Sequence, residues 1–259
     1  MPAPPAPPDP LRLFAAHAAA LAAELQEVDA ASADLYRRIT ASADRAPDPE
    51  PARVDFTYQT NALEGSTLTL RETALVLEGF APPGGKPLRE VYEARNHDRA
   101  LRHMEAHLQS GGPIDAALML ELHRLVLTDI APDASGRPRT ERVRIGGARH
   151  IPPGHHRFDA LLDHAFALAN GADAHPVLRA AELHYNLAAI HPFLDGNGRT
   201  ARLISNAVLL SAGHPLSPVR IEQRPAYLTA LDAANTGDTE PFARLITATV
   251  LRAHADLAP

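Results

Sequence analysis

The sequence predicts an all-α protein with one small β-hairpin. Over most of the 259 residues, apolar side chains recur at intervals of three and four, the spacing that places them on one face of a helix. Thr69-Leu70-Arg71-Glu72 is a capping box, which marks the start of a helix. In one stretch, residues 143–151, apolar and polar residues instead alternate toward a central Gly-Gly pair. This pattern is typical of two strands joined by a two-residue hairpin turn.

The N-terminal part of the chain is expected to form a tail and a helical arm. Residues 1–10 contain six of the 24 prolines, which favours a flexible extended tail, with a Pro-x-x-Pro ligand as the alternative. Apolar residues from Leu11 to Val28 predict a helix, and a second short helix is predicted at 34–42. Prolines at 47, 49 and 51 then predict a linker, so that the arm and linker together span residues 11–52.

Residues 53–259 are predicted to form the main domain, with its core at about 88–250. Glycine and proline separate its helical patterns: Gly79 and the loop 81–87 end the helix that starts at the capping box, and Pro152-Pro153 ends the hairpin. No internal repeat is visible. The predicted helices of this domain lie at about 69–78, 88–109, 114–128, 158–169, 176–190, 198–212, 223–235 and 239–255.

The composition excludes several classes of chemistry. The chain has no cysteine and no tryptophan, so thiol nucleophiles, disulfides, iron–sulfur clusters and cysteine-ligated zinc are excluded. Lys86 is the one lysine, and its surroundings do not fit the spacing of a phosphate-binding P-loop, which places serine or threonine where Pro87 stands. Mechanisms that use a lysine amine are therefore disfavoured.

The charge pattern indicates an acidic protein without a nucleic-acid or membrane partner. The formal net charge is −6 and the sequence pI is about 6.1, so a basic nucleic-acid-binding face is disfavoured. No apolar run approaches the roughly 18 residues of a membrane span, and the amino terminus lacks the basic region of a secretory signal. With the missing cysteines, these features lead us to expect a cytoplasmic location.

The segment from His191 to Arg202 holds the densest chemistry in the chain, and it lies between two apolar helical patterns. Gly196-Asn197-Gly198 can direct consecutive backbone N–H groups at an anion in front of the following helix. Arg199 and Arg202 are three residues apart on that helix, so both guanidinium groups are expected to reach the same anion. The combination predicts a polyphosphate site.

Two other side chains in this segment predict catalysis. Asp195 offers a hard oxygen ligand beside the anion, which suits Mg²⁺ shared with substrate phosphates. His191 is the natural proton acceptor, because an ordinary histidine pKa lies near working pH. A lone histidine at a helix end is more often a cap or a core group, and Gly-Asn-Gly alone is more often a turn. Their occurrence together with paired arginines favours a functional site.

This segment resembles a known family. His191 to Arg202 matches all nine specified positions of the Fic motif, His-Pro-Phe-x-Asp-Gly-Asn-Gly-Arg-x-x-Arg. The resemblance extends over about residues 55–250 and implies a Fic-type helical bundle with residues 143–153 as its β-hairpin flap. It also implies that Tyr227 and Asn235 lie beside the nucleotide base. One departure is Pro138, where the family usually has an aromatic residue.

The resemblance implies a nucleotidyltransferase that moves AMP from ATP to a Ser, Thr or Tyr hydroxyl of a target protein. His191 would take the hydroxyl proton, Asp195 would hold Mg²⁺, and Phe193 would anchor the loop in the core. The remaining implied roles concern the phosphates and the target. Backbone N–H groups of Gly196, Asn197 and Gly198 would bind the phosphates, with the Asn197 side chain near the α-phosphate. Arg199 and Arg202 would neutralise the β- and γ-phosphates. The flap would align the target by strand addition through Val143, Arg144, Ile145, Gly146 and Gly147.

A second motif implies autoinhibition. Residues Thr60 to Gly65 match the family's inhibitory pattern, Ser/Thr-x-x-x-Glu-Gly/Asn, which places an inhibitory helix at about 53–65. A Glu64 carboxylate paired with Arg202 would occupy the place of the γ-phosphate, and such a charge-assisted bond contributes about 1.5–3 kcal/mol. The alternative is that Glu64 only ends a helix before Gly65.

Other functions stay open at this stage. Glu64 could orient a water molecule so that the same site removes AMP, the site could transfer a phosphoryl or phosphocholine group, or the chain could be a non-catalytic regulator. The oligomeric state, including a homo-oligomer, is also open. Among the 14 histidines, the cluster His150, His155 and His156 lacks the spacing of a metal site. His184 is expected to be packed, and Tyr227 either contacts adenine or covers the core.

Overall fold

The computed structural model describes residues 9–41, 48–82 and 84–257, and within them the fold is helical. No β-strand forms in this part of the chain, and three short 3₁₀ turns join the helices at Ala15–His17, His155–Arg157 and Ile221–Gln223. The all-α prediction is confirmed. The α-helices are α1 (Ala22–Ala41), α2 (Glu50–Leu63), α3 (Leu70–Leu77), α4 (Leu88–Gln109), α5 (Ala116–Val126), α6 (Phe158–Asn170), α7 (Pro176–Ile190), α8 (Asn197–Ser211), α9 (Arg224–Asn235) and α10 (Glu240–Asp256).

Helices α7 and α8 form the centre of the bundle and carry the loop of interest between them. Both are buried along nearly their whole length. Helix α7 packs on α6, α8 and α10, whereas α8 packs also on α4 and α5. A single large hydrophobic cluster runs from Leu11 to Val250 through these helices. The loop between α7 and α8 is therefore mounted on the two most buried helices of the described structure.

The sequence predicted most helices of the main domain closely. The bounds of α4 and α7 agree with the prediction, and α3, α5, α6, α8, α9 and α10 begin and end within two residues of it. Helix α2 begins at Glu50, three residues before the predicted inhibitory helix, so Pro51 lies in its first turn and not in a linker. The Thr69 capping box is present: the Thr69 hydroxyl accepts from the Glu72 N–H, and the Glu72 carboxylate accepts from the Thr69 N–H. These helices follow their local signals because caps and apolar periodicity agree with the packing.

The prediction of a helix from Leu11 to Val28, followed by a second short helix, is wrong. Residues near Leu11 and Phe14 run over α7 without forming an α-helix, and α1 is one continuous helix of 20 residues. The Phe14 N–H donates to the buried Glu182 carboxylate at 2.7 Å. The Asn186 side chain bonds the Arg12 backbone in both directions, at 2.9 and 3.2 Å. These tertiary bonds satisfy the backbone outside a helix while Leu11 and Phe14 become fully buried.

The predicted hairpin is present only as a turn. The Ala148 N–H donates to the Ile145 carbonyl at 3.2 Å across Gly146-Gly147, but the described residues on either side form no ladder. The segment after the turn binds α7 instead, because His150 Nε2 donates to the Ala189 carbonyl at 2.8 Å. A two-stranded hairpin without a third strand is marginal in water, and here the arm has another partner.

The N-terminal helix lies against the main bundle. Helix α1 packs on α10, and its buried residues Leu25 and Val28 belong to the large cluster. The division into arm and main domain stays a prediction, and the predicted tail at 1–8 and the first linker proline, Pro47, lie outside the described residues. In the part of the chain that the structure describes, no helix has the length and apolar character to cross a membrane.

Candidate active site

The loop from Pro192 to Gly196 is held in one conformation by its own polar groups. His191 ends α7 in the left-handed region with φ 51°, and Gly196 starts α8 with φ 77°. The Asn197 side chain accepts from the Phe193 N–H at 3.0 Å and donates to the Phe193 carbonyl at 2.8 Å. Both polar atoms of the Asn197 amide are thus engaged by the loop backbone. The amide closes the loop, a role that sequence reasoning did not identify, and its position near the α-phosphate stays a prediction.

Phe193 anchors the loop in the core against a buried histidine. The Phe193 ring stacks on His123 of α5 with centroids 3.5 Å apart and planes 5° apart. His123 Nε2 donates to the Asp195 carbonyl at 3.0 Å, and His123 Nδ1 accepts from the Gly136 N–H at 3.0 Å. Burial lowers the pKa of His123 to about 4, so the ring is neutral and both nitrogens have partners. His123 was not found by sequence reasoning because it lies 72 residues from the carbonyl it binds.

Arg139 supports the loop from the opposite side. Its side chain is buried and donates to the carbonyls of His191 at 2.8 Å, Pro153 at 2.8 Å and Glu141 at 2.6 Å. Its own N–H donates to the Pro192 carbonyl at 2.9 Å. Arg139 therefore fixes the backbone of His191 relative to the segment that leads to the flap, and no local motif marked it.

His191 has the electrostatics of a base. Burial lowers the pKa of His191 to about 4, a hydrogen bond to the Ala188 carbonyl opposes that shift, and the charge of Arg139 adds to it. The imidazole is therefore neutral at neutral pH. A neutral imidazole keeps one ring nitrogen as an acceptor, and His191 lines the adjoining cavity.

Arg202 is bound by α2 at three points. Arg202 Nε donates to the Thr60 hydroxyl at 2.7 Å, and Arg202 Nη2 donates to the Thr60 carbonyl at 3.1 Å and to Glu64 Oε1 at 2.6 Å. Burial favours the neutral form of Glu64, but the charge of Arg202 and its hydrogen bond outweigh burial, so the pKa of Glu64 lies below its ordinary value. Residues Thr60, Glu64 and Arg202 are thus brought together as one ion-pair cluster.

The Glu64 carboxylate lies directly over the first turn of α8. A Cβ atom on Gly198 would lie 2.4 Å from Glu64 Oε1 and 2.9 Å from Arg202 Nη1. Only glycine leaves room for the carboxylate at this distance. Glu64 therefore sits where the N-terminus of α8 would receive an anion.

Arg199 has different partners from Arg202. Arg199 Nη1 lies 3.3 Å from Glu93 of α4, and Arg199 Nη2 lies 3.3 Å from Asp195 Oδ1. Arg89, one turn before Glu93, donates to Asp195 Oδ2 at 2.9 Å. The two arginines of the motif thus lie in separate ion-pair clusters. In this structure they do not form the single anion-binding site that the sequence predicted. Sequence reasoning did not identify Arg89 or Glu93.

A cavity of about 290 Å³ adjoins His191 and the start of α8. Its lining includes Glu64, His191, Gly198 and Arg202. It also includes apolar and aromatic residues from α2, α7 and α9, together with Asn235. Tyr227 is buried and shares a hydrogen bond of 2.9 Å with His184, which is packed as expected. The Tyr185 hydroxyl donates to Asn235 Oδ1 at 3.1 Å.

The predicted flap contributes part of its length to this cavity. Ile145, Gly146 and Gly147 line it, whereas Val143 and Arg144 lie outside its lining in the described structure. Asp195 and Arg199 also lie outside the lining and occupy the neighbouring ion-pair cluster with Arg89 and Glu93. The arrangement joins a neutral imidazole, a helix N-terminus and a guanidinium beside a half-apolar cavity, which suits a nucleotide.

Comparisons with known proteins agree with this geometry. Residues 113–209 match the Fic/DOC family profile, which covers α5 to most of α8. A solved structure of the E274G variant of Fic-1 (residues 134–508) from C. elegans is 30% identical, with a TM-score of 0.79 over 92% of this chain and 72% of that chain. This chain belongs to the Fic/DOC family. A Fic domain containing signaling protein from Bacteroides thetaiotaomicron is similar with a TM-score of 0.75 at 25% identity, over 90% of this chain and 95% of that one.

Curated Fic relatives are longer than this chain. Protein adenylyltransferase Fic of Drosophila virilis is 39% identical over 192 residues, which are 73% of this chain and 39% of that protein. The chain therefore spans about two fifths of the length of that relative. The Fic/DOC match includes His191 to Arg202 but neither Glu64 nor the α9 residues Tyr227 and Asn235.

Proposed function

We propose that this Fic protein transfers AMP from ATP to a Ser, Thr or Tyr hydroxyl of a target protein, and that Glu64 inhibits the transfer. The observation that carries the proposal is the neutral His191 in the lining of a cavity that Gly198 and Arg202 also line. The protein adenylyltransferase Fic of Drosophila virilis supports the reaction class.

His191 acts as the general base. The acceptor nitrogen of the neutral ring takes the proton of the target hydroxyl as its oxygen bonds to the α-phosphorus. The bond from the α-phosphorus to the bridging oxygen breaks, and pyrophosphate leaves with the electron pair. Burial, which lowers the pKa of His191, keeps the acceptor free of a proton before the reaction.

The start of α8 and the two arginines bind the phosphates. The N-terminus of α8 and Arg202 face the cavity, and the buried Nε of Arg199 has no hydrogen-bond partner among the described residues, whereas Nη1 lies 3.3 Å from Glu93. Buried donors of this kind are expected to have a partner, and phosphate oxygens would satisfy them. The donor set therefore fits a polyphosphate once Glu64 has moved.

Asp195 fits a magnesium ion that is shared with the nucleotide. No cluster of three or more histidine or acidic ligands occurs among the described residues, so a metal site made by the protein alone is disfavoured there. Mg²⁺ in phosphate-transfer sites needs only one or two carboxylates, because phosphates and water complete its octahedron. When bound to Asp195, Mg²⁺ would neutralise charge on the phosphates of ATP.

Glu64 inhibits by occupying the binding position of a phosphate. Its carboxylate lies against Gly198 and bonds Arg202, so a phosphate group in the same place would meet a negative charge. The Glu64 side chain is 41% exposed whereas that of Arg202 is 4% exposed, so Glu64 is the partner that can leave. We therefore assign Glu64 and Thr60 to inhibition and Arg202 to ATP binding.

The flap turn and α9 complete the site. Ile145, Gly146 and Gly147 line the cavity, and the two glycines leave main-chain groups open to a target segment. Tyr227 and Asn235 also line the cavity and would contact the base. Main-chain recognition gives little side-chain selectivity, so the identity of the target lies outside these residues.

Replacement of His191 by alanine tests the role of the base. In a Glu64→Gly background, His191→Ala is expected to lower AMP transfer at least about 100-fold, because general-base catalysis contributes about 10²–10⁴ in rate. ATP binding should stay within about threefold of the parent, since the phosphate ligands are unchanged. The measurements are incorporation of labelled AMP into protein and nucleotide binding by calorimetry.

Exposed His155 supplies the control variant. His155→Ala should leave transfer unchanged, since its side chain lies at the surface outside the cavity lining. Normal labelling by the His191→Ala protein would contradict the assignment of the base. Mass spectrometry of the product separates AMP from phosphate or phosphocholine, which are the products of the rival transferases.

A further inference from the structure

We propose that Arg89 competes with the divalent cation for Asp195 and so raises the Mg²⁺ concentration at which the site binds MgATP. This inference rests on the proposed function, because it concerns the metal that ATP would bring. It adds to Glu64 a second inhibitory contact, which acts on the metal ligand and not on the phosphate ligands.

Both oxygens of the Asp195 carboxylate are already engaged. Oδ1 accepts from the Gly196 N–H at 2.6 Å and lies 3.3 Å from Arg199 Nη2. Oδ2 accepts from Arg89 Nη2 at 2.9 Å. A cation that binds this carboxylate must therefore take the place of one of these donors or share an oxygen with it.

Arg89 is the donor that can be displaced. The Arg199 side chain is 3% exposed, and the Gly196 N–H belongs to the fixed loop. The Arg89 side chain is 60% exposed, so its guanidinium can move away into solvent. Of the three donors, Arg89 is therefore the one that a cation can replace.

Release of Arg89 leaves it with a second partner. Arg89 Nε donates to Glu93 Oε1 at 3.0 Å, one turn along α4, and Glu93 also lies 3.3 Å from Arg199. After displacement, Arg89 retains this i,i+4 ion pair, so its guanidinium is not left alone. The cluster of Arg89, Glu93, Asp195 and Arg199 is neutral as it stands, and a cation that enters meets the repulsion of two guanidinium groups.

The competition is expected to be modest because the contact is exposed. Exposed ion pairs are weak and screened by salt. The loss of Arg89 should therefore increase the gain in nucleotide affinity that Mg²⁺ gives by about two- to fivefold at low ionic strength. The gain should shrink at high salt, since the Debye length falls to about 3 Å at 1 M. A purely structural role of Arg89 would not produce this dependence on salt.

The test measures binding of a fluorescent, non-hydrolysable ATP analogue in EDTA and in saturating Mg²⁺. Both measurements use the full chain carrying Glu64→Gly, with and without Arg89→Ala. The ratio of the two dissociation constants reports the contribution of the metal. We expect Arg89→Ala to raise this ratio two- to fivefold and to leave the affinity in EDTA unchanged.

The control is Arg102→Ala, which removes another exposed arginine from α4 that pairs with Asp98 and Glu50. It should change neither dissociation constant. An unchanged ratio in Arg89→Ala would overturn the inference, and weaker binding in EDTA would show instead that Arg89 binds phosphate. If the Glu64→Gly parent binds no nucleotide in either buffer, the proposed function fails and the inference fails with it, an outcome distinct from the other two.

Discussion

Arg139 illustrates how a single side chain outside the motif can fix the geometry of the base. It binds three carbonyls from three segments, including that of His191, and the burial of its guanidinium lowers its pKa below the ordinary value. The guanidinium also lies 4.9 Å from the centre of the Phe158 ring. The motif supplies the proposed catalytic imidazole, and Arg139 binds the backbone that holds it.

Arg139→Ala is expected to lower the free energy of unfolding by about 3 kcal/mol, because it leaves one buried and two partly buried carbonyls without this donor. Arg139→Lys should recover only part of this loss, since one ammonium cannot replace a planar guanidinium at three acceptors. Chemical denaturation measures both changes. Arg37→Ala, which removes an exposed ion pair with Asp34, should change stability by less than about 0.5 kcal/mol. A similar small change in Arg139→Ala would show that these bonds do not support the fold.

At the scale of elements, α2 is the proposed inhibitory helix. Thr60 and Glu64 are four residues apart, so they lie on one face of α2 and its C-terminal cap and bind the same guanidinium. Helix α2 packs on α3 and α4, and the Gln59 side chain accepts from the Ile221 N–H before α9 at 3.0 Å. The helix is therefore held on three sides while it presents Glu64 to the cavity.

Thr60→Val is expected to release part of the inhibition. Valine keeps the shape of threonine but removes the hydroxyl that binds Arg202 Nε, so the Glu64–Arg202 pair should loosen and AMP transfer should rise about two- to tenfold. The rise should be smaller than that caused by Glu64→Gly. Thr40→Val, at an exposed position of α1, is the control. Unchanged or reduced transfer by Thr60→Val, measured with labelled ATP, would contradict an inhibitory role for Thr60.

The elements differ in how far their sequences predict them. Helices α4 and α7 were predicted to the residue because caps, breakers and apolar periodicity all agree with the packing. The segment around Phe14 carries a helical pattern but has no α-helix, because Glu182 and Asn186 bind its backbone from α7. No local signal in residues 11–28 reports the existence of those two partners.

At the scale of the whole molecule, buried histidines make stability depend on pH. Burial lowers the pKa of His97 and His184 to about 3 and that of His123, His191 and His214 to about 4, from an ordinary value near 6.5. Between pH 6.5 and 4 the unfolded chain binds protons at these rings that the native state does not bind. Stability is therefore fully present above about pH 6.5 and falls as the pH drops through this window.

Glu182 changes stability with pH in the opposite direction to the buried histidines, but it is one group against five. Burial raises the pKa of the Glu182 carboxyl to about 7, and the Phe14 N–H partly opposes the shift. Between its unfolded pKa, near 4.5, and pH 7, the native state holds the proton, so this group adds stability as the pH falls. Five histidines against one such carboxyl leave a net loss of stability in acid.

The prediction is a lower free energy of unfolding at pH 5 than at pH 7, measured by urea denaturation at both pH values. Each fully buried ring, such as His184, should contribute about 1–2 kcal/mol to the difference. His184→Gln should therefore reduce the difference between the two pH values, whatever its effect on stability at pH 7. Equal stability at pH 5 and pH 7 in the wild type would contradict the neutral, buried state of these histidines.

The functional site was predictable where its residues are contiguous in sequence. His191 to Arg202 and Thr60 to Gly65 are short motifs, so the proposed catalytic and inhibitory residues could be named from the sequence alone. His123, Arg139, Arg89 and Glu93 come from α4, α5 and the segment after α5, and their roles depend on packing between distant parts of the chain. The same limit explains why the two motif arginines were expected to share one anion, although they hold separate partners.

The most direct test of an adenylyltransferase inhibited by Glu64 is labelling with α-labelled ATP and Mg²⁺ in a lysate. Three proteins are compared: wild type, Glu64→Gly, and Glu64→Gly combined with His191→Ala. We predict weak labelling of protein by the wild type, labelling at least about tenfold stronger by Glu64→Gly because the Glu64–Arg202 pair is lost, and no labelling by the double variant. Equal labelling by wild type and Glu64→Gly, or labelling by the double variant, would contradict this mechanism.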